Sequence, residues 1–160
     1  MKVSEAIEKM IDFYRGDLHD IQHFLKVWAY AKTIGDMERL DARTQETLEL
    51  AAVVHDISCP FCREKYGSAE GWRQERESAP LVEAFFADDT ADIPRIVHIV
   101  SHHHTYTNVD GMDYQILLEA DYLVNAAESG YTRAAIENAK KQFFRTAAGI
   151  RLLDSIYLKG

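Results

Sequence analysis

The chain has 160 residues, 26 acidic against 18 basic side chains, a formal net charge of -8 and 47% hydrophobic residues. That length suits one core and is short for two, and the acidic balance excludes a surface built to neutralise phosphate backbones, so bulk nucleic acid is not an expected partner. No apolar run approaches the roughly 18 residues that span a bilayer, and the acidic, periodic start Met1-Lys2-Val3-Ser4-Glu5 is unlike a signal peptide, so a soluble, cytoplasmic protein with no membrane partner is expected.

Only three prolines and eight glycines interrupt the chain. Apolar residues recur at helical rather than alternating spacing, which predicts an all-α, compact single-domain helical bundle over residues 1–160. A first helix is expected from about Ser4, a candidate N-cap, with Ile7, Met10, Ile11 and Tyr14 on one face, to a break at Gly16. A second, about Leu18 to Leu40, carries Val27, Tyr30 and Ile34 beneath His23, so His23 shares an apolar face. The third, about Ala42 to Ile57, puts Leu48, Ala51, Ala52 and His55 on one stripe, with Asp56 one turn after Ala52.

Residues 58–78 are polar, hold Gly67 and Gly71, and read as an irregular excursion that roofs the site. Within it, Cys59-Pro60-Phe61-Cys62 has a spacing known from redox and zinc sites. Neither a β-α-β setting nor a second ligand pair accompanies it, so two loop thiols are expected. Helices over Pro80 to Ala87 and Ile93 to about His103 should flank the acidic turn Asp88-Asp89-Thr90, Pro94 suiting a first turn. After a loop over Thr105 to Gly111, a helix from Met112 to Glu128 has the inner stripe Leu117, Ala120, Asp121 and Val124, which makes Asp121 interior. Ser129-Gly130 breaks it, Thr132 to Ala148 forms another helix, and Gly149 precedes a final amphipathic segment. Such end helices are compatible with a homodimer.

His23 lies 32 residues before His55, and Asp121 lies 65 after Asp56. All four fall on stripes that face a core. Burying a lone carboxylate or imidazolium is costly unless it is paired, hydrogen-bonded or bound to a cation. The neighbouring apolar stripes offer no cationic side chain, so a divalent metal is the simplest partner. Imidazole nitrogen and carboxylate oxygen suit hard and borderline cations, and this set does not separate Mn, Mg, Fe, Co, Ni and Zn. A metal so held lowers the pKa of water and polarises a phosphoryl oxygen, which points to hydrolysis of a phosphate ester.

The segments His19-Asp20-Ile21-Gln22-His23-Phe24-Leu25-Lys26-Val27, Val53-Val54-His55-Asp56-Ile57 and Leu118-Glu119-Ala120-Asp121-Tyr122-Leu123 together resemble the HD-domain metal-dependent phosphohydrolases. That family is patterned as one His, then His-Asp, then a distant Asp. The resemblance implies an HD-type helical domain with His23, His55, Asp56 and Asp121 as metal ligands, and Asp56 also orienting the attacking water or accepting its proton. Lys26 occupies a place where the family often has a basic residue for substrate phosphate. In a subset, a His-His pair followed by Asp-Gly supports a second metal, and His102-His103 with Asp110-Gly111 resembles it loosely. No histidine lies between Asp56 and His98 to supply that subset's further ligand. Glu75 or Glu77 is the available substitute, although Arg73-Gln74-Glu75-Arg76-Glu77 reads better as a solvated charge run. One ion is therefore expected, with a second as the alternative.

His98, His102, His103 and His104 share a helix end and cannot all face one pocket, since His103 lies about a hundred degrees round from His102. One or two should face inward, with His103 as a candidate general acid and His102 as a candidate phosphoryl contact. Tyr106, Tyr114, Tyr122, Trp72 and Phe61 are placed around the expected mouth, which favours a nucleotide slightly over other small phosphorylated substrates. The rival reading is a non-catalytic, nucleotide-sensing or regulatory helical module with a structural metal. A third is an interaction bundle without metal.

Overall fold

The computed structural model describes residues 1–87, 89 and 91–160. In chain order these form α1 (Val3–Tyr14), α2 (Leu18–Met37), α3 (Ala42–Val54), α4 (Cys59–Tyr66), α5 (Gly71–Phe85), α6 (Ile93–Val100), α7 (Met112–Glu128), α8 (Arg133–Gln142) and α9 (Ala147–Leu153), closed by a π-helical turn over Asp154–Leu158. Among the described residues there is no strand, and no helix is long and apolar enough to cross a membrane.

The centre of the bundle is α3. From Thr47 to Val54 every residue is buried, as befits a helix covered on all sides. Its one buried charge, Glu49, accepts hydrogen bonds from Trp28 Nε1 at 3.0 Å and Gln45 Nε2 at 2.9 Å, which offsets its loss of water. The long helices α2 and α7 pack on α3 and on each other, while α1 and α6 cover its remaining sides. Phe24, Val27, Ala31 and Ile34 of α2 and Leu117, Ala120 and Val124 of α7 supply the shared core. Each large side chain there stabilises by roughly 1.5–3 kcal/mol through burial. Side-chain caps fix several starts: Asp17, Asp41, Asp92, Thr132 and Thr146 each accept from a backbone N–H three residues on.

Several boundaries differ from the sequence expectations. Lys2, not Ser4, caps α1, its backbone N–H donating to Glu5 at 2.8 Å. The third helix stops at Val54, with His55 as its C-cap and Asp56 in the turn beyond. Residues 58–78 are not an irregular loop but carry α4 and most of α5. Helical periodicity was hidden because the inward residues of α5 begin as Gln74 and Ser78 before continuing as Val82 and Phe85. Those two polar groups are satisfied locally, with the hydroxyls of both Ser58 and Ser78 donating to Gln74 O. Pro80 lies inside α5 rather than at a start. It is exposed, as is Arg76, the residue one turn before it that a proline N–H cannot serve.

Cys59 and Cys62 are accordingly buried, free thiols on α4, not loop thiols. The expected helix over Thr132 to Ala148 is split into α8 and α9. Buried Glu119 drives the split by accepting from Arg145 N, Thr146 N and Thr146 Oγ1. Gly149 is then not a breaker but part of α9, where a Cβ would overlap the Glu119 carboxylate. The expected acidic turn falls, at Asp88 and Thr90, outside the described residues.

Candidate metal centre

Three helices and two turns deliver the site. α2 presents His23, the end of α3 presents His55 and the next turn Asp56, α7 presents Asp121, and the turn after α6 presents His103. His23 Nε2 lies 3.1 Å from Asp56 Oδ2, 3.3 Å from Asp121 Oδ1 and 3.2 Å from His55 Nε2. His55 Nε2 lies 3.3 Å from Asp56 Oδ2 and 3.4 Å from Asp121 Oδ1. Four side chains from three segments far apart in sequence thus converge on one point.

The tautomers are set from outside. His55 Nδ1–H donates to Ala52 O at 2.7 Å and His23 Nδ1–H to Glu128 Oε1 at 2.6 Å, so in the neutral rings both Nε2 lone pairs face inward. The triangle of His23 Nε2, His55 Nε2 and Asp56 Oδ2 has edges of 3.2, 3.3 and 3.1 Å. A point equidistant from its corners is therefore about 1.9 Å from each, close to the roughly 2.0–2.2 Å of metal bonds to His nitrogen and carboxylate oxygen. Donor chemistry, tautomer and spacing all fit a divalent cation.

Without a cation the cluster is held by protons. Burial pulls the His23 pKa down, but hydrogen bonds to Asp121 and Asp56 and their charges outweigh it and push it up to about 11. Burial likewise opposes the proton on His55, yet the Asp56 charge and hydrogen bonds to both carboxylates push it up to about 10. Burial favours protonated carboxyls at Asp56 and Asp121, but the facing imidazoles hold both below the usual carboxylate range. The two Nε2 atoms are too close for independent titration, so these values belong to the pair.

Further side chains complete the setting. His103 is 1% exposed, and its Nε2 lies 3.4 Å from Asp56 Oδ1 without a hydrogen-bond partner. Its ring meets that of His55 edge-on at 5.2 Å, and ligand atoms of His55, His103 and Asp121 also lie within 4.8 Å of one another. Tyr14 donates its hydroxyl to Asp56 O at 3.1 Å and steadies the turn. Cys59 is buried beside Asp56, and burial pushes its thiol pKa up, which makes it a poor nucleophile.

Lys26 and His102 are not drawn into the cluster. Lys26 is exposed on α2, while the His102 ring packs on His98 and Tyr114 and its Nδ1–H donates to His98 O. Glu75 accepts from Thr105 Oγ1 and ties α5 to the loop after α6, and Glu77 pairs with Lys65 and Tyr66. Tyr114 is buried with its hydroxyl bonded to His102 O and Thr105 O, whereas Tyr106 and Trp72 stay about half exposed. A surface cleft of about 630 Å³ lies elsewhere, lined by Arg133, Lys140, Lys141 and Asp154.

Sequence reasoning missed Glu128 and Gln74, and named His104 only as one of four clustered histidines without a role. Glu128 had a readable signal, since seven residues past Asp121 on a helix it shares that face. Gln74 had none, because its role depends on a contact with His104 across 30 residues.

Comparison with known families matches the HD domain over residues 20–138, a span that contains all the clustered side chains. No curated protein and no solved structure matches the chain.

Proposed function

The chain belongs to the HD-domain family, and from that premise we propose that it is a metal-dependent phosphohydrolase acting on a small phosphate ester. The observation that carries the reading is the convergence of His23 Nε2, His55 Nε2, Asp56 Oδ2 and Asp121 Oδ1, with both imidazole lone pairs directed inward by Ala52 and Glu128. These four residues would hold a divalent ion, which supplies a Lewis acid for a phosphoryl oxygen and makes water a stronger nucleophile near neutral pH.

The chain's own groups do the rest. Asp56 has one oxygen in the ligand set and the other facing His103, so it is placed to orient the attacking water and take its proton. Its side chain is 20% exposed against 0% for His55, which makes it the open side of the cluster. His103 faces the same side and acts on the reacting phosphoryl group. Lys26, a cation on the same helix as His23, is the proposed contact for substrate phosphate. Tyr106, stacked on Phe143 at 4.4 Å with one face still partly open, supports a nucleotide among the candidate esters.

The test is metal content by elemental analysis together with turnover of nucleotides and sugar phosphates in the presence of Mn, Mg, Co or Ni. Asp56→Ala and Asp121→Ala should each abolish turnover. Unchanged activity in both would overturn the reading.

A further inference from the structure

We infer that the cleft beside α8 and the π-helical turn binds a small phosphorylated polyanion, one with two or more phosphate groups, through Arg133, Lys140, Lys141 and Lys159. The overall charge of -8 conceals a reversal along the chain. Residues 133–160 hold six basic and two acidic side chains, a net +4, against twelve basic and twenty-four acidic in residues 1–132, a net -12. An asymmetry of that size points to an anionic partner for the basic part.

Four of those six cations line one cleft of about 630 Å³, within the roughly 300–1,000 Å³ of small-molecule sites. Two carboxylates share the cleft, so its net charge is +2. Both are already committed, Glu137 to Arg133 Nε at 3.1 Å and Asp154 to Lys140 Nζ at 2.8 Å. Lys141 and Lys159 are exposed, and among the described residues neither forms an ion pair. Lys159 Nζ reaches only the Ser155 hydroxyl, at 3.3 Å.

Helix polarity accounts for Lys140 and Lys141, which occupy the last turn of α8 at the negative end of its dipole. It does not account for Arg133. That residue is the first of α8, at the positive end, and its partner Glu137 lies C-terminal to it, the weaker order for a pair four residues apart. The cleft explains its place where the helix does not.

The walls are fixed before anything binds. Arg133 also donates to Leu158 O at 2.9 Å, Lys159 N donates to Asp154 O at 2.9 Å across the π turn, and the Tyr157 hydroxyl donates to Leu123 O on α7. Turns of this wide kind recur at functional sites, and cations held in advance lose less entropy on binding. A guanidinium suits phosphate oxygens as a planar fork and the lysines act as point charges. The concave shape and the strongly acidic remainder of the chain favour a small molecule over a lipid surface or a nucleic-acid duplex, which need a wide basic face. None of the lining residues belongs to the metal cluster, so the inference stands apart from the phosphohydrolase reading.

The test titrates full-length protein, in chelator so that no metal-dependent turnover consumes the ligand, with inorganic tripolyphosphate and separately with ATP. Isothermal titration calorimetry reads affinity, and backbone amide shifts by NMR read position. Expected is binding that shifts residues 133–141 and 154–159 most and weakens as salt rises. Lys141→Glu combined with Lys159→Glu takes the cleft from +2 to -2 and should lower affinity at least about 10-fold at unchanged helicity. Lys141→Ala, the milder change, should lower it about 2- to 5-fold.

Tighter binding of ATP would assign Ile150 and Leu158, which also line the cleft, to the nucleoside. Equal or tighter binding of tripolyphosphate would mean that phosphate charge alone is read, and both results uphold the inference. Absence of binding by either ligand, shifts confined to the metal cluster, or affinity retained in both variants overturns it. Binding to phosphatidylserine vesicles or duplex DNA without binding to either small ligand overturns it as well.

Discussion

Metal binding should expel protons from the buried cluster in a number the geometry bounds. In the metal-free protein the His23 and His55 pair holds protons well above neutrality, with values raised to about 11 and about 10. Coordination needs both Nε2 lone pairs. With values raised above neutrality the pair carries at least one proton at pH 7, and with one inward nitrogen on each ring, 3.2 Å apart and titrating together, it carries at most two. One ion therefore releases between one and two protons, and the logarithm of its affinity rises by that number for each pH unit, about 1.4–2.7 kcal/mol per unit. Isothermal titration calorimetry between pH 6.5 and 8, repeated in buffers of different ionisation enthalpy, counts the protons directly. His23→Gln should reduce the count by about one as it weakens binding. Affinity that does not change with pH, and heats that do not change with buffer, would refute the description of a proton-held cluster.

The same groups give the metal-free protein a bounded stability window. The imidazoles lie above their ordinary 6.5, so their contribution is full below pH 6.5 and fades as pH rises toward 10–11. The carboxylates lie below 3.8, so theirs is present above that value and lost as pH falls beneath it. Melting curves in chelator should accordingly peak between about pH 4 and 6.5, and a Tm that kept rising to pH 9 would contradict this. Glu128→Ala removes the acceptor of His23 Nδ1–H and should weaken metal binding roughly 10- to 100-fold with unchanged helicity; equal affinity by Mn²⁺ titration would deny Glu128 that role. Gly149→Ala forces a methyl group into the Glu119 carboxylate and should cost about 1–3 kcal/mol, a Tm loss of roughly 3–10 °C, without changing metal content. An unaltered Tm would show that the α8–α9 turn yields freely.

Much of the helical order was legible because apolar spacing records which face of a helix meets the core. α2, α3 and α7 carry that record clearly, and it put His23, His55 and Asp121 on inward stripes. α4 and α5 were illegible for the same reason reversed: Gln74 and Ser78 are buried yet polar, so hydrophobic period failed where burial was satisfied by hydrogen bonds. The break between α8 and α9 was invisible because its cause, Glu119, lies 26 residues upstream.

The sequence by itself determined an all-helical chain and the residue types able to hold a cation. Local backbone sets the inward nitrogen of His55 and His103, through Ala52 O and Val100 O three residues upstream, whereas tertiary structure alone decided it for His23 and His104, because Glu128 and Gln74 come from distant helices. A hydrogen bond at the far edge of an imidazole sets the lone pair at the near edge, and for those two no linear spacing of residues records where that far edge will point.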